Sequence, residues 1–486
     1  MQHLEPRSPV TLGFYGGTGA VTGANFLLSG KETRVLIDCG LIQGEKFVLE
    51  MNREPFPYDP ASIDFLLVTH AHIDHIGRIP KLVRDGFTGR IISTPQTLDL
   101  SRLMLPDAFS VLRSEMPEGA EPLYDEKDIE QAFSLWEARA YREPFSAREF
   151  EVVMKDSGHI LGSAMCELTR TADARGLDAD SRRFPLPRSS GEIERGLKRK
   201  IVFTGDLGNA PTPLLKPAEA VTGATYMVME SVYGDRNHEG GERRKERLAE
   251  VIQASVRQGG VLLIPCFSLE KTQVLLYEMD DLLAQGKIPK VPVFLDSPLA
   301  IKVTNVYRKY TGFFNEEAQA RLRKGDDIFS FPNLRITIDA RASAEITRTP
   351  SPKIIIAGSG MSAGGRILEH ERRYLGDPSN TILFIGYQAV GGLGRHIQEG
   401  VTHLRINHEE VTVRARIETI TGYSSHKDSE HLLEFVARAS EDGALEKVFV
   451  AMGEPKASLF LAQRVRDSIG VEAVAPQAGD TVEIEL

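Results

Sequence analysis

The stretch of sequence that decides the fold is FLLVTHAHIDH, residues 65–75. Its apolar, strand-like first part is followed at once by His70, His72, Asp74 and His75. Imidazole and carboxylate groups hold Zn²⁺ and similar first-row ions, and a strand that ends in a tight turn can aim alternate side chains at one point. A catalytic ion takes about three protein ligands and keeps one position open for water. Four ligands in one loop therefore indicate two ions that share further ligands from elsewhere in the fold.

Composition restricts the class of protein. A length of 486 residues allows two or three domains, and a hydrophobic content of 41% is typical of a globular chain. No apolar run reaches the length of about 18 residues that a membrane helix needs, and the N-terminus lacks the basic start of a signal peptide. The cysteines Cys39, Cys166 and Cys266 lie singly in apolar surroundings, which favours buried thiols over disulfides. We therefore predict a soluble, cytoplasmic protein with no membrane partner.

The charge of the chain bears on nucleic acid binding. A net charge of -10 argues against a broad, sequence-independent grip on nucleic acid, because counterion release needs clustered Lys and Arg. It leaves a local basic channel open. The charged stretch at residues 171–200 is predicted to be an exposed loop, and a solvated surface and a nucleic acid contact explain it equally well.

Hydrophobic patterns divide the chain into a β-rich part and an insertion. Strand-like runs occur at residues 10–15, 25–28 and 34–38, helical spacing covers 96–140, and strands return at 151–154 and 164–168. From about residue 245 strands and helices alternate, as in a parallel α/β sheet. Strand patterns at residues 411–417 and 446–450 then resume the β-rich part. The sequence therefore predicts a β-rich domain interrupted by an α/β insertion.

Three later residues are candidate partners for the cluster at residues 70–75. They are His159, Asp206 and His426, each in a turn of small residues beside a predicted strand. A carboxylate such as Asp206 is costly to bury after an apolar strand unless it is paired or bound to metal, which suits a bridging role. Each residue alone is explained equally well as a hydrogen-bonded turn residue. Only their combination with the cluster indicates one common site.

These residues also carry a family resemblance. In chain order, Asp38, the run H-x-H-x-D-H at residues 70–75, His159 and Asp206 resemble the metallo-β-lactamase fold. That fold is an αββα sandwich with a two-metal site at one edge.

Three further motifs narrow the resemblance. Glu230 in MESVYG, His396 in GRHI and His426 in SSHKD are similar to the additional motifs of the β-CASP nucleases. That family includes the endonuclease of pre-mRNA 3′-end cleavage and its bacterial and archaeal relatives. The resemblance implies an α/β (α+β) fold class, with the αββα sandwich interrupted by an α/β β-CASP domain. The expected domains are residues 1–208 and 396–486 for the two parts of the sandwich and 209–395 for the β-CASP domain.

The resemblance also implies a ligand set for two zinc ions per chain. It places the first ion on His70, His72 and His159 and the second on Asp74, His75 and His426, with Asp206 as the bridge. Family members with His at the last motif act on RNA, whereas DNA-repair members carry an apolar residue there, so His426 favours single-stranded RNA as substrate. One departure is Met452, which stands where the family often has His before Gly-Glu-Pro. A second is the absence of the KH-type extension of some archaeal relatives.

The implied function is a metal-dependent ribonuclease in RNA processing or decay. Two neighbouring cations ionise a bridging water near neutral pH and withdraw charge from a phosphate oxygen, which suits hydroxide attack on a phosphodiester. Catalytic roles are expected for Asp38, Asp74, Glu230 and His396. Asp38 would lie behind the metal ligands, and His396 would contact the scissile phosphate as an acid or an electrostatic clamp. Glu230 would orient His396 or His426, although an ordinary salt bridge also explains it.

Glycine-rich segments at residues 16–23 and 358–365 offer bare backbone amides. The second segment precedes a predicted helix whose N-terminal dipole favours anions. Tight turns explain both segments equally well. The residues expected to bind substrate are Gly360, Ser362, Gly364, Arg366 and Ser425.

Two other functions remain open. A hydrolase of small esters, thioesters or lactams shares the sandwich fold, but it has no use for the insertion or for His396. A non-catalytic scaffold of an RNA-processing complex is the other, although such scaffolds lose ligands and every ligand position is filled here. The sequence leaves open whether cleavage is internal or starts from the 5′ end. It also leaves open whether the protein forms a homo-oligomer or joins an RNA-processing complex.

Overall fold

The computed structural model describes residues 9–44, 48–116, 119, 121–171, 199–238, 243–386, 388 and 391–486. Most of the charged loop predicted at residues 171–200 therefore lies outside the described residues. The predicted mixed α/β class is confirmed, with three large sheets and flanking helices. Among the described residues no helix combines the length and the apolar character that crossing a membrane requires.

The described residues form strands and helices in the following order. The strands are β1 (Val10–Gly16), β2 (Asn25–Ser29), β3 (Arg34–Ile37), β4 (Phe65–Leu67), β5 (Arg90–Ser93), β6 (Trp136–Ala138), β7 (Phe145–Ala147), β8 (Phe150–Asp156), β9 (Ala164–Arg170), β10 (Lys200–Phe203), β11 (Tyr226–Met229), β12 (Val261–Pro265), β13 (Val293–Asp296), β14 (Leu334–Ile336), β15 (Lys353–Ala357), β16 (Thr381–Phe384), β17 (His403–Ile406), β18 (Glu409–Thr412), β19 (Arg416–Thr419), β20 (Lys447–Val450), β21 (Glu472–Val474) and β22 (Thr481–Ile484). The helices are α1 (Val48–Arg53), α2 (Ile73–Ile76), α3 (Ile79–Arg84), α4 (Pro95–Glu115), α5 (Glu126–Ser134), α6 (Arg244–Gln258), α7 (Lys271–Ala284), α8 (Pro298–Lys309), α9 (Glu316–Arg323), α10 (Ala340–Ile346), α11 (Ile367–Tyr374), α12 (Leu393–Gln398), α13 (Ser429–Ser440) and α14 (Pro455–Ile469).

Two seven-stranded sheets form a sandwich. Their strand orders are β22-β1-β2-β3-β4-β5-β6 and β21-β20-β11-β10-β9-β8-β7. Inward-facing side chains of both sheets build one core, in which the Phe14 and Phe449 rings are 5.4 Å apart and the Phe26 and Phe203 rings 6.3 Å apart. Alternate residues of a strand face opposite sides, so the outer faces of the sheets are left for helices.

The third sheet is fully parallel, with the order β14-β13-β15-β12-β16-β19. Its central strands are buried on both faces, as expected of parallel sheets covered by helices. Leu262 and Ile264 on one face join the apolar cluster that contains Leu66 and Leu161 of the sandwich. The inserted sheet and the sandwich therefore share a hydrophobic core.

Sheet membership corrects one strand prediction. The strand pattern at residues 411–417 was expected to resume the sandwich. Instead, β18 pairs with β17 in a separate hairpin, and β19 pairs with β16 of the third sheet. Conversely β11, which follows residue 209, pairs with β10 and β20 of the sandwich. Side-chain alternation shows that a segment is extended but does not choose its partner. The domain boundaries at 208/209 and 395/396 stay a prediction.

The three cysteines are free and buried, as predicted. Burial raises the pKa of the Cys39 and Cys266 thiols to about 12. A thiol that keeps its proton is a poor nucleophile and a poor metal ligand. Cysteine chemistry is therefore not part of the site described below.

A buried carboxyl group in α11 leads to a pH prediction. Glu371 has no exposed surface, and the only hydrogen bond to its carboxyl group among the described residues comes from the Ser362 hydroxyl, at 2.5 Å. Burial raises the pKa of Glu371 from 4.5 to about 8. Between these values the folded state binds one proton more than the unfolded state, so the free energy of unfolding falls as pH rises, by up to about 1.4 kcal/mol per pH unit.

We expect Glu371→Gln to remove this contribution. The free energy of unfolding of the variant, relative to the unaltered protein, should then rise steadily from about pH 5 to about pH 8. Thermal or urea melts of both proteins across this range measure the difference. A difference that does not change with pH would show that Glu371 is ionised in the folded protein.

Candidate metal centre

The opening stretch lies at the carboxyl edge of the first sheet. β3 and β4 are parallel neighbours, so Asp38 after β3 and Thr69 after β4 emerge side by side. The Asp38 carboxylate accepts hydrogen bonds from the Thr69 backbone N–H and hydroxyl, both at 2.8 Å. The chain then turns through His72 into the short helix α2. This turn directs the residues of the cluster at 70–75 toward one point.

Two glycines let the remaining loops approach. A Cβ at Gly40 would lie 1.5 Å from the Asp74 carbonyl oxygen. A Cβ at Gly208 would lie 1.9 Å from the carbonyl oxygen of Gly158. Such distances exclude any side chain, so the turn after Asp206 meets the loop before His159 only because Gly208 has no Cβ.

The first ligand group consists of four buried or half-buried residues from three parts of the chain. They are His70, His72, His159 and Asp206, each with one ligand atom within 4.8 Å of the others. Asp206 Oδ2 lies 3.4 Å from His70 Nε2 and 3.5 Å from His159 Nε2. His159 follows β8 and Asp206 follows β10, two strands of the second sheet on either side of β9. The structure thus brings together predicted ligands that are far apart in sequence.

The second ligand group shares Asp206 and adds Glu230 and His426. His426 Nδ1 lies 3.1 Å from Glu230 Oε2 and 3.8 Å from Asp206 Oδ2. Glu230, which follows β11, is fully buried and also accepts the Leu207 backbone N–H at 2.5 Å. A carboxylate bound to an imidazole fixes the tautomer of the ring. The structure therefore places Glu230 against His426.

His75 provides the test of whether these residues fit a metal. Its Nδ1 lies 2.7 Å from Asp38, which orients the ring. Its Nε2 is buried without a hydrogen bond among the described residues, 3.4 Å from Asp206 and 3.8 Å from Asp74. A buried imidazole nitrogen that faces two carboxylates and has no hydrogen bond is costly in the metal-free protein. A cation at this point satisfies all three groups, so the residues fit a metal site.

The pKa values of His72, His159 and Asp206 suit metal binding, whereas in the metal-free protein Asp206 and Asp38 outweigh burial and raise the pKa of His75 well above its usual value. Burial, reinforced by the neighbouring imidazoles, holds the pKa of His72 and of His159 well below the usual value. These rings are therefore neutral, which is the form that binds metals. Burial alone would raise the pKa of Asp206, but His75 and His70 hold it well below the usual range, so this carboxylate is ionised.

His396 belongs to neither ligand group. It is half-buried in α12, and within the part of the chain that the structure describes its side chain makes no hydrogen bond, ion pair or ring contact. Glu230 was expected to orient His396 or His426, and its carboxylate contacts His426. The catalytic role of His396 stays a prediction, and no such contact among the described residues supports it.

The residues expected to bind substrate divide into two sets. Ser425 lies at the metal centre, where its carbonyl oxygen is 3.4 Å from His159 Nδ1. Gly360, Ser362, Gly364 and Arg366 follow β15 in the inserted domain. The Ser362 hydroxyl donates to Glu371, and the Arg366 guanidinium donates to Asp296 at 2.6 Å.

Those two side chains therefore already have partners within the inserted domain. A Cβ at Gly360 would lie 2.4 Å from the Phe267 ring, so close packing explains that glycine. Gly364 has open space around the position of a Cβ. Substrate binding by this set stays a prediction.

Sequence reasoning missed two residues beside the centre. His238 Nε2 lies 2.8 Å from the carbonyl oxygen of His426. Lys271, the first residue of α7, donates to the Ser425 hydroxyl at 2.5 Å. Neither residue belongs to a motif, since a single His or Lys in a polar segment has no spacing that marks it. Only the approach of the two domains shows their place.

Comparisons with known proteins bear on the family of the chain. Three family models match: the metallo-beta-lactamase superfamily at residues 18–141, the Beta-Casp domain at 272–397 and the Zn-dependent metallo-hydrolase RNA specificity domain at 410–476. Ribonuclease TTHA0252 of Thermus thermophilus is 34% identical over 423 residues, which cover 87% of this chain and 89% of that protein. The transcription termination factor FttA of Pyrococcus horikoshii is 30% identical over 490 residues, covering 96% of this chain and 70% of the relative.

A solved structure shares the fold. It is a protein of unknown function from Enterococcus faecalis V583, with a TM-score of 0.53 and 10% identity, and the match covers 98% of this chain and 100% of that one. The protein has the sandwich, the inserted sheet and the cluster of ligands at the edge of the sandwich that define a metallo-hydrolase. The chain belongs to the β-CASP family of the metallo-β-lactamase superfamily.

Proposed function

We propose that this protein is a zinc-dependent ribonuclease that hydrolyses phosphodiester bonds of single-stranded RNA in RNA processing or decay. The observation that carries the proposal is the group of His70, His72, His159 and Asp206 at the edge of the sandwich, together with His75, whose buried Nε2 faces Asp206 and Asp74. The names of the relatives, a ribonuclease and a transcription termination factor, support RNA as the substrate. Buried, reduced cysteines fit a cytoplasmic location. Whether the protein forms a homo-oligomer or joins an RNA-processing complex stays open.

We assign two zinc ions to the site. His70, His72, His159 and Asp206 would hold the first, and Asp74, His75 and Asp206 would hold the second, with His426 beside both. When bound, zinc supplies Lewis acidity to a phosphate oxygen and lowers the pKa of a water molecule. The protein supplies orientation: Asp38 holds the ring of His75, and Thr69 in turn holds the carboxylate of Asp38.

The leaving oxygen of the RNA needs a proton or a positive partner. His396 was expected in this role, but His426 has the better support. Its Nδ1 faces Glu230 at 3.1 Å, and its ring lies 4.5 Å from the ring of His159. An imidazole held by a buried carboxylate at the edge of a metal centre is arranged to donate a proton or to contact a phosphate.

Cleavage of RNA by the purified, zinc-loaded protein tests the proposal. We expect it to cut single-stranded RNA, to lose this activity with a chelator and to regain it with zinc. The reason is that the proposed mechanism takes its Lewis acid and its activated water from the metal. An end-labelled linear RNA and a circular RNA of the same sequence should be compared, since a circle opens only by internal attack. A small thioester and a lactam serve as controls. Hydrolysis of these without RNA cleavage would contradict the proposal.

A further inference from the structure

The inserted domain touches the metal centre through the first turn of α7. Lys271 Nζ donates to the carbonyl oxygen of Tyr423 and to the hydroxyl of Ser425, both at 2.5 Å. Both acceptors belong to the segment 421–428, called the His426 loop below. The loop returns to the sandwich at the isolated bridge between Gly208 and His426. Lys271 thus connects the inserted domain to a loop that carries a residue of the site.

A second contact fixes the same loop to the same helix. The Tyr423 hydroxyl donates to Glu278 Oε2 at 2.5 Å, seven residues further along α7. Glu278 also accepts from Arg244 Nε of α6 at 2.9 Å. Tyr423 and Glu278 are buried, at 4% and 2% exposure, so these are not surface contacts. The His426 loop is therefore held to α7 at two points.

The connection reaches a metal ligand through Ser425. The Ser425 carbonyl oxygen lies 3.4 Å from His159 Nδ1 and accepts the Asn209 backbone N–H at 2.8 Å. A carbonyl at Nδ1 selects the tautomer with the proton on that nitrogen. His159 Nε2, which faces Asp206, is then free to bind an ion.

The preceding residue, Glu270, makes a parallel connection to the loop at residues 157–163. Its carboxylate accepts the Tyr307 hydroxyl, and the Tyr307 oxygen accepts the Leu161 backbone N–H at 3.3 Å. Glu270 adopts a positive φ of 65°, a backbone conformation that non-glycine residues rarely adopt. The start of α7 therefore supports both loops that carry His159 and His426.

The space around Lys271 argues against direct contact with substrate. The cavity lined by Lys271, His159 and Ser425 has a volume of about 30 Å³. That volume holds about one or two water molecules and no nucleotide. The ammonium group also already has two oxygen partners. Its role is thus to hold the loop and not to bind RNA.

We propose that Lys271 is a positioning residue of the metal centre: through Ser425 it keeps His159 in the orientation and tautomer that bind an ion. The inference rests on the metal site of the proposed function. It makes zinc affinity depend on a residue of the inserted domain that touches no ligand. The metal centre is then complete only when the two domains are packed together.

Zinc binding by Lys271→Met, measured with zinc alone against a chromophoric chelator, tests the inference. We expect the zinc dissociation constant to rise about 10-fold, as for other residues that orient a ligand from behind. Lys271→Arg should restore most of the affinity, because it keeps a donor of similar reach. The matched control is Lys245→Met in α6, since Lys245 pairs with Asp281 of α7 and not with the loop.

Unaltered zinc affinity in folded Lys271→Met, or an equal loss in Lys245→Met, would overturn the inference. Melting temperatures of the metal-free proteins show whether each variant folds. If Lys271→Met does not fold, Ser425→Ala decides, because it removes the hydroxyl acceptor and leaves the Tyr423 carbonyl in place. An unchanged zinc affinity in Ser425→Ala would then overturn the inference. RNA is absent from these measurements, so failure to cleave RNA contradicts the proposed function alone.

Discussion

Replacing Asp206 with asparagine is expected to abolish tight zinc binding and RNA cleavage together. Asp206 is the one residue shared by both ligand groups, and its ionised carboxylate lies within 3.5 Å of His70, His75 and His159. Asparagine keeps the shape but removes the charge that offsets a buried cation. Metal assistance is worth several kcal/mol, so we expect cleavage to be about 10³-fold slower.

The measurements are the zinc content per chain and the rate of cleavage of an end-labelled RNA. Asp64→Asn is the matched control, because Asp64 lies in the same domain and its carboxylate pairs with Arg148. It should keep both zinc and activity. An Asp206→Asn protein that retains two zinc ions would contradict the prediction that Asp206 bridges them. RNA cleavage that survives the combined loss of His72 and Asp74 would contradict the whole mechanism.

Replacing His426 with alanine should slow RNA cleavage far more than replacing His396. A positioned acid contributes about 10²- to 10⁴-fold to the rate, and we expect a loss in that range for His426→Ala. His396→Ala should slow cleavage less, because this variant keeps His426, the acid that we propose. Glu230→Gln should reduce cleavage less than His426→Ala, since the imidazole remains but loses its carboxylate partner.

Zinc content separates two roles of His426. If His426 is a ligand, its loss lowers the zinc content as well as the rate; if it is only an acid, zinc stays. Stability should be compared among the three variants, because Glu230 is fully buried. A His396→Ala protein that keeps its zinc but cannot cleave RNA would restore the original assignment of the acid to His396.

Much of the site could be predicted because its chemistry is local in the sequence. The cluster at residues 70–75 concentrates metal ligands within one turn, a density that is typical of a metal site. Asp206 was predicted from a different signal, a carboxylate directly after an apolar strand. Both signals depend on the cost of burying polar groups and not on tertiary contacts. The four-residue ligand group is consistent with that reasoning.

Pairings between distant segments could not be predicted in this way. Glu230 had two candidate partners, His396 and His426, and the sequence offered no distance to choose between them. The run at residues 411–417 was predicted as one strand of the sandwich, but it contains the end of β18 and the start of β19, which lie in two other sheets. Lys271 carried no signal, because its function depends on a loop about 150 residues away that folds against it.

By itself, the sequence determined the class of chemistry and the family, because the type of ligand and its spacing from a strand end are local properties of the chain. The tertiary structure alone decided which residues share the site. It placed Glu230 against His426, gave the His396 side chain no polar partner among the described residues and set Lys271 behind Ser425. Such choices depend on how two domains pack on a common core, and packing is a sum over many distant contacts that no single motif encodes.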